Sequence, residues 1–229
     1  MNQQTMSITI LSDARETVGK TYTVTIEAHW TVLDALERIR VEQAPDLLYR
    51  HSCHHGSCGT CGMLVNGQKK LACLTKLSEV SDEPVSLAPL PVMRHLADLA
   101  VDPKPLFTDF PLGATYVRAS QAHRSATPPK EIDHFVRFEN CIECGLCMQA
   151  CPVLPDGDFM GPAALAAYNR ETENRPERSA ELLHEVSVPR GAAACERHLA
   201  CSQVCPTGVY PAKHIAVLQR KIKKSASAE

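Results

Sequence analysis

The chain has 229 residues, enough for one large domain or two of ordinary size with adequate hydrophobic cores. Its formal net charge of -2 gives no electrostatic argument for a nucleic acid partner. No apolar run approaches the roughly 18 residues of a membrane span, so we expect no transmembrane segment of its own. Residues 1–5 lack the pattern of a secretory signal, which predicts an intracellular protein in a reducing compartment.

The eleven cysteines imply either a disulfide framework or metal ligation. Their odd number and their tight spacings favour metal, because a chain of this length does not need covalent cross-links to fold. A structural zinc protein remains an alternative within the metal class, and metal analysis showing zinc without iron or sulfide would favour it.

The N-terminal segment has the signals of strands followed by a helix. Residues 7–11 and 22–26 are rich in β-branched residues and predict two strands joined by a hairpin turn. Thr31 can cap a helix, Asp34 lies three residues further on, and apolar residues follow at helical spacing. Pro45 ends this predicted helix.

The first cysteine motif follows in a glycine-rich loop. Its spacing, C-x4-C-x2-C-x11-C, is that of plant-type ferredoxins, which hold a 2Fe-2S cluster. The four predicted ligands are Cys53, Cys58, Cys61 and Cys73. Gly56, Gly59 and Gly62 are predicted to supply positive φ angles and close approach of backbone N–H groups to inorganic sulfide. Two strands, a helix and such a loop resemble the β-grasp fold of plant-type ferredoxins.

Two alternatives to a 2Fe-2S cluster arise for this loop. A zinc site could use the same four thiolates, but zinc sites usually pair short C-x2-C units. A Rieske centre could use His54 and His55 in place of two cysteines, but all four cysteines are present. We therefore expect these histidines to be exposed loop residues that tune the potential of the cluster.

Beyond the loop we expect a hairpin over residues 63–72, a closing strand at 85–87 and a short helix over 91–100. Several prolines then interrupt any regular element, which predicts a connector lying along a surface. The predicted organisation is a 2Fe-2S domain, a connector and a helical domain with two cubane-type clusters, in residues 1–104, 105–130 and 131–229. The predicted fold class is α+β.

The second cysteine motif reads C-x2-C-x2-C-x3-C-P, the spacing by which bacterial-type ferredoxins hold cubane clusters. It contains Cys141, Cys144, Cys147, Cys151 and Pro152. The fourth cysteine of such a run ligates a different cluster from the first three, so this run implies two clusters. A later run, Cys195, Cys201 and Cys205 followed by proline, repeats the motif with His198 where the second cysteine would be.

The ligands of ferredoxin repeats cross over, and this resemblance implies how the cysteines divide. A 4Fe-4S cluster would take Cys141, Cys144, Cys147 and Cys205, which leaves Cys151, Cys195 and Cys201 for a 3Fe-4S cluster. His198 as ligand to a fourth iron is the alternative, less favoured because cysteine dominates cluster ligation. A His198 that only donates a hydrogen bond near the cluster is compatible with 3Fe-4S.

Three helices are predicted around these cysteines, one beginning at Gly161 with proline in its first turn, and two more over residues 179–186 and 211–224. The last of them ends in a basic run, residues 220–224. These cations offset the helix dipole, and contact with anionic lipid headgroups is the alternative.

Across nearly its whole length the chain resembles the iron-sulfur subunit of the succinate dehydrogenase and fumarate reductase family. The resemblance rests on the first motif, the run over residues 141–152, the segment Gly161-Pro162-Ala163 and the spacing of the last three cysteines. It implies a partner flavoprotein that interconverts succinate and fumarate at FAD. Electrons would pass through 2Fe-2S, 4Fe-4S and 3Fe-4S clusters to a quinone at a membrane anchor that can also hold haem b. The subunit itself would carry no acid, base or hydride chemistry.

The same resemblance implies where the faces of the subunit point. The loop edge with His54 and His55 would face the flavoprotein, and Pro152, His198 and the basic helix would face the quinone. The protein would be peripheral on the cytoplasmic face of a prokaryotic inner membrane, held there by partner subunits. Val153 stands near the position where succinate:quinone reductases have tryptophan, which leaves the direction of catalysis open. The alternatives are a subunit of another flavoprotein oxidoreductase and a soluble carrier with a non-quinone acceptor.

Overall fold

The computed structural model describes residues 4–80, 84–112, 141–155 and 157–227. The chain divides into two compact units, one of Met1–Leu106 with Ile142–Ala150 and the other of Phe107–Cys141 with Cys151–Glu229. The first unit contains a sheet and the second is helical. The predicted order of a sheet region followed by a helical part is thus confirmed.

The first unit is built on a five-stranded sheet of order β2-β1-β5-β3-β4. Its strands are β1 (Gln4–Ile10), β2 (Lys20–Ile26), β3 (Gly62–Val65), β4 (Gln68–Leu71) and β5 (Val85–Ala88). β1 is antiparallel to β2 and parallel to β5, and β3 is antiparallel to β4 and β5. The predicted β3–β4 hairpin and closing strand are confirmed. β1 and β2 pair as predicted, but residues 11–19 connect them, so the predicted turn at Gly19-Lys20 is wrong because Lys20 already pairs with Ile10. Asn66 and Gly67 have φ angles of 47° and 72°, as a two-residue hairpin turn requires.

Helix α1 (Val32–Glu42) crosses from β2 toward the first cysteine loop. It begins with the predicted capping box: Asp34 N donates to Thr31 Oγ1, and Thr31 N donates to Asp34 Oδ2 at 2.8 Å. Leu33, Leu36 and Ile39 lie on one face and are buried. The hydrophobic burial of this face and the cap together fix the helix.

Replacing Thr31 by alanine is expected to lower the free energy of unfolding by about 0.5–2 kcal/mol, because it removes the acceptor for the Asp34 amide. The shift of the urea unfolding midpoint measures this loss. Thr31→Ser keeps the hydroxyl and serves as the control. An equal shift in the serine and alanine variants would show that the cap oxygen does not stabilise α1.

The predicted helix over residues 91–100 is wrong, because this segment is a hairpin of β6 (Arg94–Ala97) and β7 (Ala100–Asp102). Asp98 turns the chain with a φ of 45°, and its Oδ2 accepts a hydrogen bond from Leu48 N at 2.9 Å. Leu99 N donates to Leu48 O at 3.0 Å. These contacts with a distant loop favour the turn over the local helical spacing of apolar residues.

The start of the predicted connector also has regular structure. Residues Lys104–Phe107 form a short 3-10 helix in which Leu106 is buried, so the expectation that prolines exclude every regular element is wrong there. Residues 113–130 of the predicted connector lie outside the described residues.

A segment from the second half of the sequence, Ile142–Ala150, belongs to the first unit and carries the short helix α2 (Leu146–Ala150). Leu146 is almost fully buried. Gln149 Oε1 accepts a hydrogen bond from Val92 N at 2.8 Å. The core of the first unit is therefore completed by residues that lie about 40 positions beyond its main chain segment.

The second unit surrounds helix α3 (Pro162–Asn174), which is buried from Pro162 through Thr172. Its alanine-rich first half lets α4 (Ser179–Glu185) and α6 (Pro211–Ala226) pack closely on it, while α5 (Ala200–Gln203) is a single short turn. All three predicted helices are confirmed. The core residues are Phe159, Met160, Leu165, Tyr168, Leu182, Leu183, Val186, Ala192, Ile215 and Leu218. Among the described residues, no helix has the length and apolar character needed to cross a bilayer.

Polar contacts fix the segment that leads to Cys195. Arg190 donates two hydrogen bonds to the Asp109 carboxylate, at 2.7 and 2.8 Å, and one to Asp158 at 2.6 Å. Hydrogen bonds from Arg190 to Asp109, and then to Asp158, raise the pKa of the Arg190 guanidinium. Its backbone oxygen accepts a bond from Met160 N at 2.9 Å, so both its side chain and its backbone are held.

Candidate iron-sulfur sites

The loop between α1 and β3 aims backbone N–H groups at the Cys53 sulfur. His55, Ser57 and Cys58 donate to Cys53 Sγ at 3.5, 3.2 and 3.3 Å. These bonds, that of His55 above all, lower the pKa of Cys53 to about 6. The loop therefore stabilises a thiolate, the form of cysteine that ligates iron.

Cys61 and Cys73 are buried together, with their Sγ atoms 3.4 Å apart. Two thiolates on one tetrahedral metal ion, with metal–sulfur bonds of about 2.3 Å, lie roughly 3.7 Å apart. Burial raises the pKa of Cys73 to about 12, so a cation is needed to hold this sulfur as a thiolate. The pair forms no disulfide, and its geometry fits a shared metal ion.

Two of the three loop glycines have the predicted conformation. Gly56 and Gly59 have φ angles of 79° and 69°. A Cβ on Gly59 would lie 2.4 Å from Ile142 O and 2.8 Å from Cys144 Cβ, so there is no space for a side chain. The predicted positive φ is wrong for Gly62, which begins β3, although a Cβ there would lie 3.0 Å from Cys144 O.

His54 and His55 are exposed, as predicted. His54 has a φ of 61°, an uncommon backbone conformation for a residue with a side chain. The structure also brings Glu37 of α1 and His51 close to His54, a grouping that the sequence motif does not contain. The signal visible in the sequence was the pair His51 and His54; nothing local pointed to Glu37.

The cysteines predicted to hold the second cluster are divided between the two units. Cys144 and Cys147 lie on the segment Ile142–Ala150, where Glu143 and Gly145 flank Cys144 with φ angles of 54° and 76°. The backbone therefore has a left-handed conformation on both sides of Cys144, which turns the chain sharply there.

Cys141 and Cys205 belong to the second unit. Both pack against the same small cluster, formed by Ala166, Ala167 and Val209. Val209 N donates to Cys205 Sγ at 3.3 Å. An amide donor aimed at a sulfur within an apolar cluster suits a ligating thiolate.

Cys151, Cys195 and Cys201 line one cavity of the second unit, together with Pro152 and His198. Burial raises the pKa of Cys151 and of Cys201, and Cys195, which lies nearby, raises both further. Three thiols in one cavity, of which Cys151 and Cys201 are disfavoured as bare anions, fit a group that supplies cationic iron.

His198 is one of the residues that line this cavity, but its imidazole has a partner outside the cysteine set. Its Nε2 lies 3.0 Å from Glu196 Oε2, and half of its side chain is exposed. Arg197 and Leu199 on either side have φ angles of 62° and 63°. The loop from Cys195 to Cys201 is thus wound tightly, with His198 on the cavity lining.

The chain matches two family models with iron-sulfur descriptions. Residues 6–108 match the 2Fe-2S iron-sulfur cluster binding domain, and residues 137–209 match the 4Fe-4S dicluster domain. In fold, the chain is similar to a chain of the Mycobacterium smegmatis Sdh1 complex in the apo form, with a TM-score of 0.75, 22% identity and 98% of both chains covered.

Several curated proteins are similar over most of their length. The fumarate reductase iron-sulfur subunit of Mycobacterium tuberculosis is 36% identical over 83% of this chain and 80% of that protein. Its counterpart from Escherichia coli is 35% identical over 89% and 85%. The mitochondrial succinate dehydrogenase [ubiquinone] iron-sulfur subunit 1 of Oryza sativa is 33% identical over 82% and 70%. The chain therefore belongs to the family of iron-sulfur subunits of fumarate reductase and succinate dehydrogenase.

Proposed function

We propose that the chain is the electron-transfer subunit of a succinate dehydrogenase or fumarate reductase complex. It would pass electrons between the FAD of a flavoprotein subunit and a quinone at a membrane anchor. The observation that carries this proposal is that the cysteines fall into sets. In each set, sulfur atoms are buried or accept hydrogen bonds from backbone amides. The names of the relatives include both enzymes, so the proposal covers both directions of catalysis.

We propose the following ligand sets. The 2Fe-2S cluster is held by Cys53, Cys58, Cys61 and Cys73, the 4Fe-4S cluster by Cys141, Cys144, Cys147 and Cys205, and the 3Fe-4S cluster by Cys151, Cys195 and Cys201. The close Sγ pair of Cys61 and Cys73 supports the first set. The shared cavity supports the third. Common packing of Cys141 and Cys205 on one apolar cluster supports part of the second.

We assign the sheet unit to a β-grasp ferredoxin domain, because α1 and the parallel pair of β1 and β5 combine with a cysteine loop as that fold does. The proposed domains are residues 1–104 for the 2Fe-2S cluster, 105–130 as connector and 131–229 for the two cubane-type clusters. Segment Ile142–Ala150 supplements the first of these.

When bound, the clusters accept and donate electrons one at a time. The residues of the chain contribute by orienting and desolvating them. Amides of the first loop stabilise negative charge on Cys53, and the cavity of Cys151 and Cys201 excludes water from the third set. No residue of the chain is assigned a role in proton or hydride transfer.

The partners follow from the same proposal. The exposed edge with His54 and His55 faces the flavoprotein, and Pro152 and His198 face the quinone side. Anchor subunits, with or without haem b, hold the protein peripherally on the cytoplasmic face of a prokaryotic inner membrane. We propose that the basic turn that ends α6 lies near that membrane.

Electron paramagnetic resonance of the purified complex tests this function. We expect a 3Fe-4S signal in the oxidised sample and a 2Fe-2S signal on stepwise reduction, with succinate as a reductant of the clusters through the flavoprotein. If the clusters form but succinate does not reduce them, the chain would instead be assigned to another flavoprotein oxidoreductase. A soluble chain without flavoprotein or anchor would support a diffusing carrier instead.

A further inference from the structure

Beyond the proposed cluster ligands, the described residues bring one more group of metal-ligating side chains together. Glu37, His51 and His54 each offer one ligand atom, and these atoms lie within 4.8 Å of one another. Glu37 lies on α1, whereas both histidines lie on the first cysteine loop. All three belong to the first unit, and none is a cysteine of the motif.

Glu37 presents one carboxylate oxygen to the histidines. Its Oε2 accepts a hydrogen bond from Arg40 at 2.8 Å. Its Oε1 is buried and makes no well-formed hydrogen bond within the described part of the chain, although the Tyr49 hydroxyl can donate to this carboxylate. His51 Nε2 lies 3.5 Å from Oε1, beyond good hydrogen-bonding distance. A buried carboxylate oxygen in this position can be satisfied by a cation.

The two imidazoles approach each other closely. His51 Nδ1 lies 3.1 Å from His54 Nε2, and the ring planes make an angle of 75°. Two nitrogens at this distance either share a proton or bind the same cation. Ligands on a tetrahedral ion with metal–nitrogen bonds of about 2.0–2.1 Å lie roughly 3.3 Å apart. The separation of His51 Nδ1 and His54 Nε2 therefore fits joint ligation, in which the ion uses Nδ1 of His51 rather than the Nε2 that lies 3.5 Å from Glu37 Oε1.

The charge state of the group also suits a metal ion. Burial alone would raise the pKa of Glu37, but Tyr49, Arg40 and His51 together lower it. The carboxylate is therefore anionic at neutral pH. Two imidazoles and one carboxylate form the donor set typical of zinc sites with an open position, and other late divalent ions bind similar donors.

We propose that Glu37, His51 and His54 form a binding site for a divalent transition-metal ion of the zinc type, with water completing its coordination. The site joins α1 to the first cysteine loop. It uses no cluster ligand and does not depend on the electron-transfer function.

The position of His54 directly after Cys53 gives the site a consequence for the neighbouring cluster. A divalent cation there stabilises the added negative charge of the reduced 2Fe-2S cluster. By linkage, the factor by which the bound ion favours reduction of the cluster is also the factor by which the ion binds the reduced protein more tightly than the oxidised one. A tenfold difference in affinity corresponds to an increase of about 59 mV in the one-electron potential.

Equilibrium dialysis of the cluster-loaded full chain against Zn²⁺, followed by metal analysis, tests the site. We expect one zinc per chain, with affinity at least tenfold weaker in Glu37→Gln and in His54→Asn. Asparagine tolerates the φ of 61° at position 54, so the second variant removes the imidazole without adding backbone strain. His55→Asn makes the same substitution on the adjacent exposed residue and should bind zinc normally.

Paramagnetic Co²⁺ then locates the bound ion. It should shorten the electron spin relaxation time of the reduced 2Fe-2S cluster in the original chain and in His55→Asn, but not in the other two variants. Equal zinc binding in all four proteins, no binding in any, or zinc uptake matched by loss of iron would overturn the proposal. A chain with a normal 2Fe-2S signal and no zinc site would refute this inference alone and leave the proposed function intact.

Discussion

Replacing Gly59 by alanine is expected to destabilise the first unit by about 2–5 kcal/mol and to reduce its content of iron and sulfide. The left-handed backbone at φ 69° costs a residue with a Cβ about 1–2 kcal/mol. Overpacking adds about 1–3 kcal/mol, because the Cβ would lie 2.4 Å from Ile142 O, a backbone atom that cannot rotate away. Thermal unfolding and metal analysis of the full chain measure the two effects.

Gly67→Ala is the matched control for this prediction. Gly67 has a φ of 72°, nearly that of Gly59, but a Cβ added to it would meet no atom within 4 Å. Only the backbone cost of about 1–2 kcal/mol is expected, with iron content unchanged. If the two variants melt at the same temperature, the close approach to Ile142 is not what requires glycine at position 59.

Replacing His198 by cysteine is expected to convert the 3Fe-4S cluster to a 4Fe-4S cluster. His198 lines the cavity of the three cysteines, so a thiolate there can supply the missing fourth ligand. The oxidised 3Fe-4S resonance should disappear, a 4Fe-4S resonance should appear at lower potential on reduction, and iron should rise by one atom per chain.

The control for this conversion is His198→Ala, which removes the imidazole without adding a thiolate. Since His198 pairs with Glu196 at the surface, we expect the alanine variant to keep its 3Fe-4S resonance. Loss of the cluster in His198→Ala would identify the imidazole as a ligand. An unchanged resonance in His198→Cys would mean that the missing thiolate does not determine the cluster type.

The sequence predicted those parts of the fold whose causes are local. The capping box of Thr31 and Asp34 set the start of α1, and the Asn66-Gly67 turn set the β3–β4 hairpin. The β6–β7 hairpin escaped prediction because its turn is stabilised by Leu48, about 50 residues earlier. The parallel pairing of β1 with β5 is equally non-local.

The candidate sites also include some parts with local causes, which the sequence predicted, and others with non-local causes, which it did not. Spacing alone grouped Cys53, Cys58 and Cys61, because ligands of a loop lie close in sequence. The grouping of Glu37 with His51 and His54 depends on how α1 packs against the loop, which no local pattern encodes. The prediction of a positive φ for Gly62 failed because strand β3 begins at this residue and requires an extended backbone.

Because Ile142–Ala150 belongs to the first unit, the chain cannot be cut after residue 106 to give a complete first unit. A fragment ending in the proline-rich stretch would lack Leu146, whose side chain lies near Gly62, and Gln149, which binds the Val92 amide. Such a fragment would expose an apolar surface and is expected to aggregate. Gene fusion or exchange at that stretch would therefore not transfer a complete 2Fe-2S module, because part of its core is encoded within the following cysteine motif.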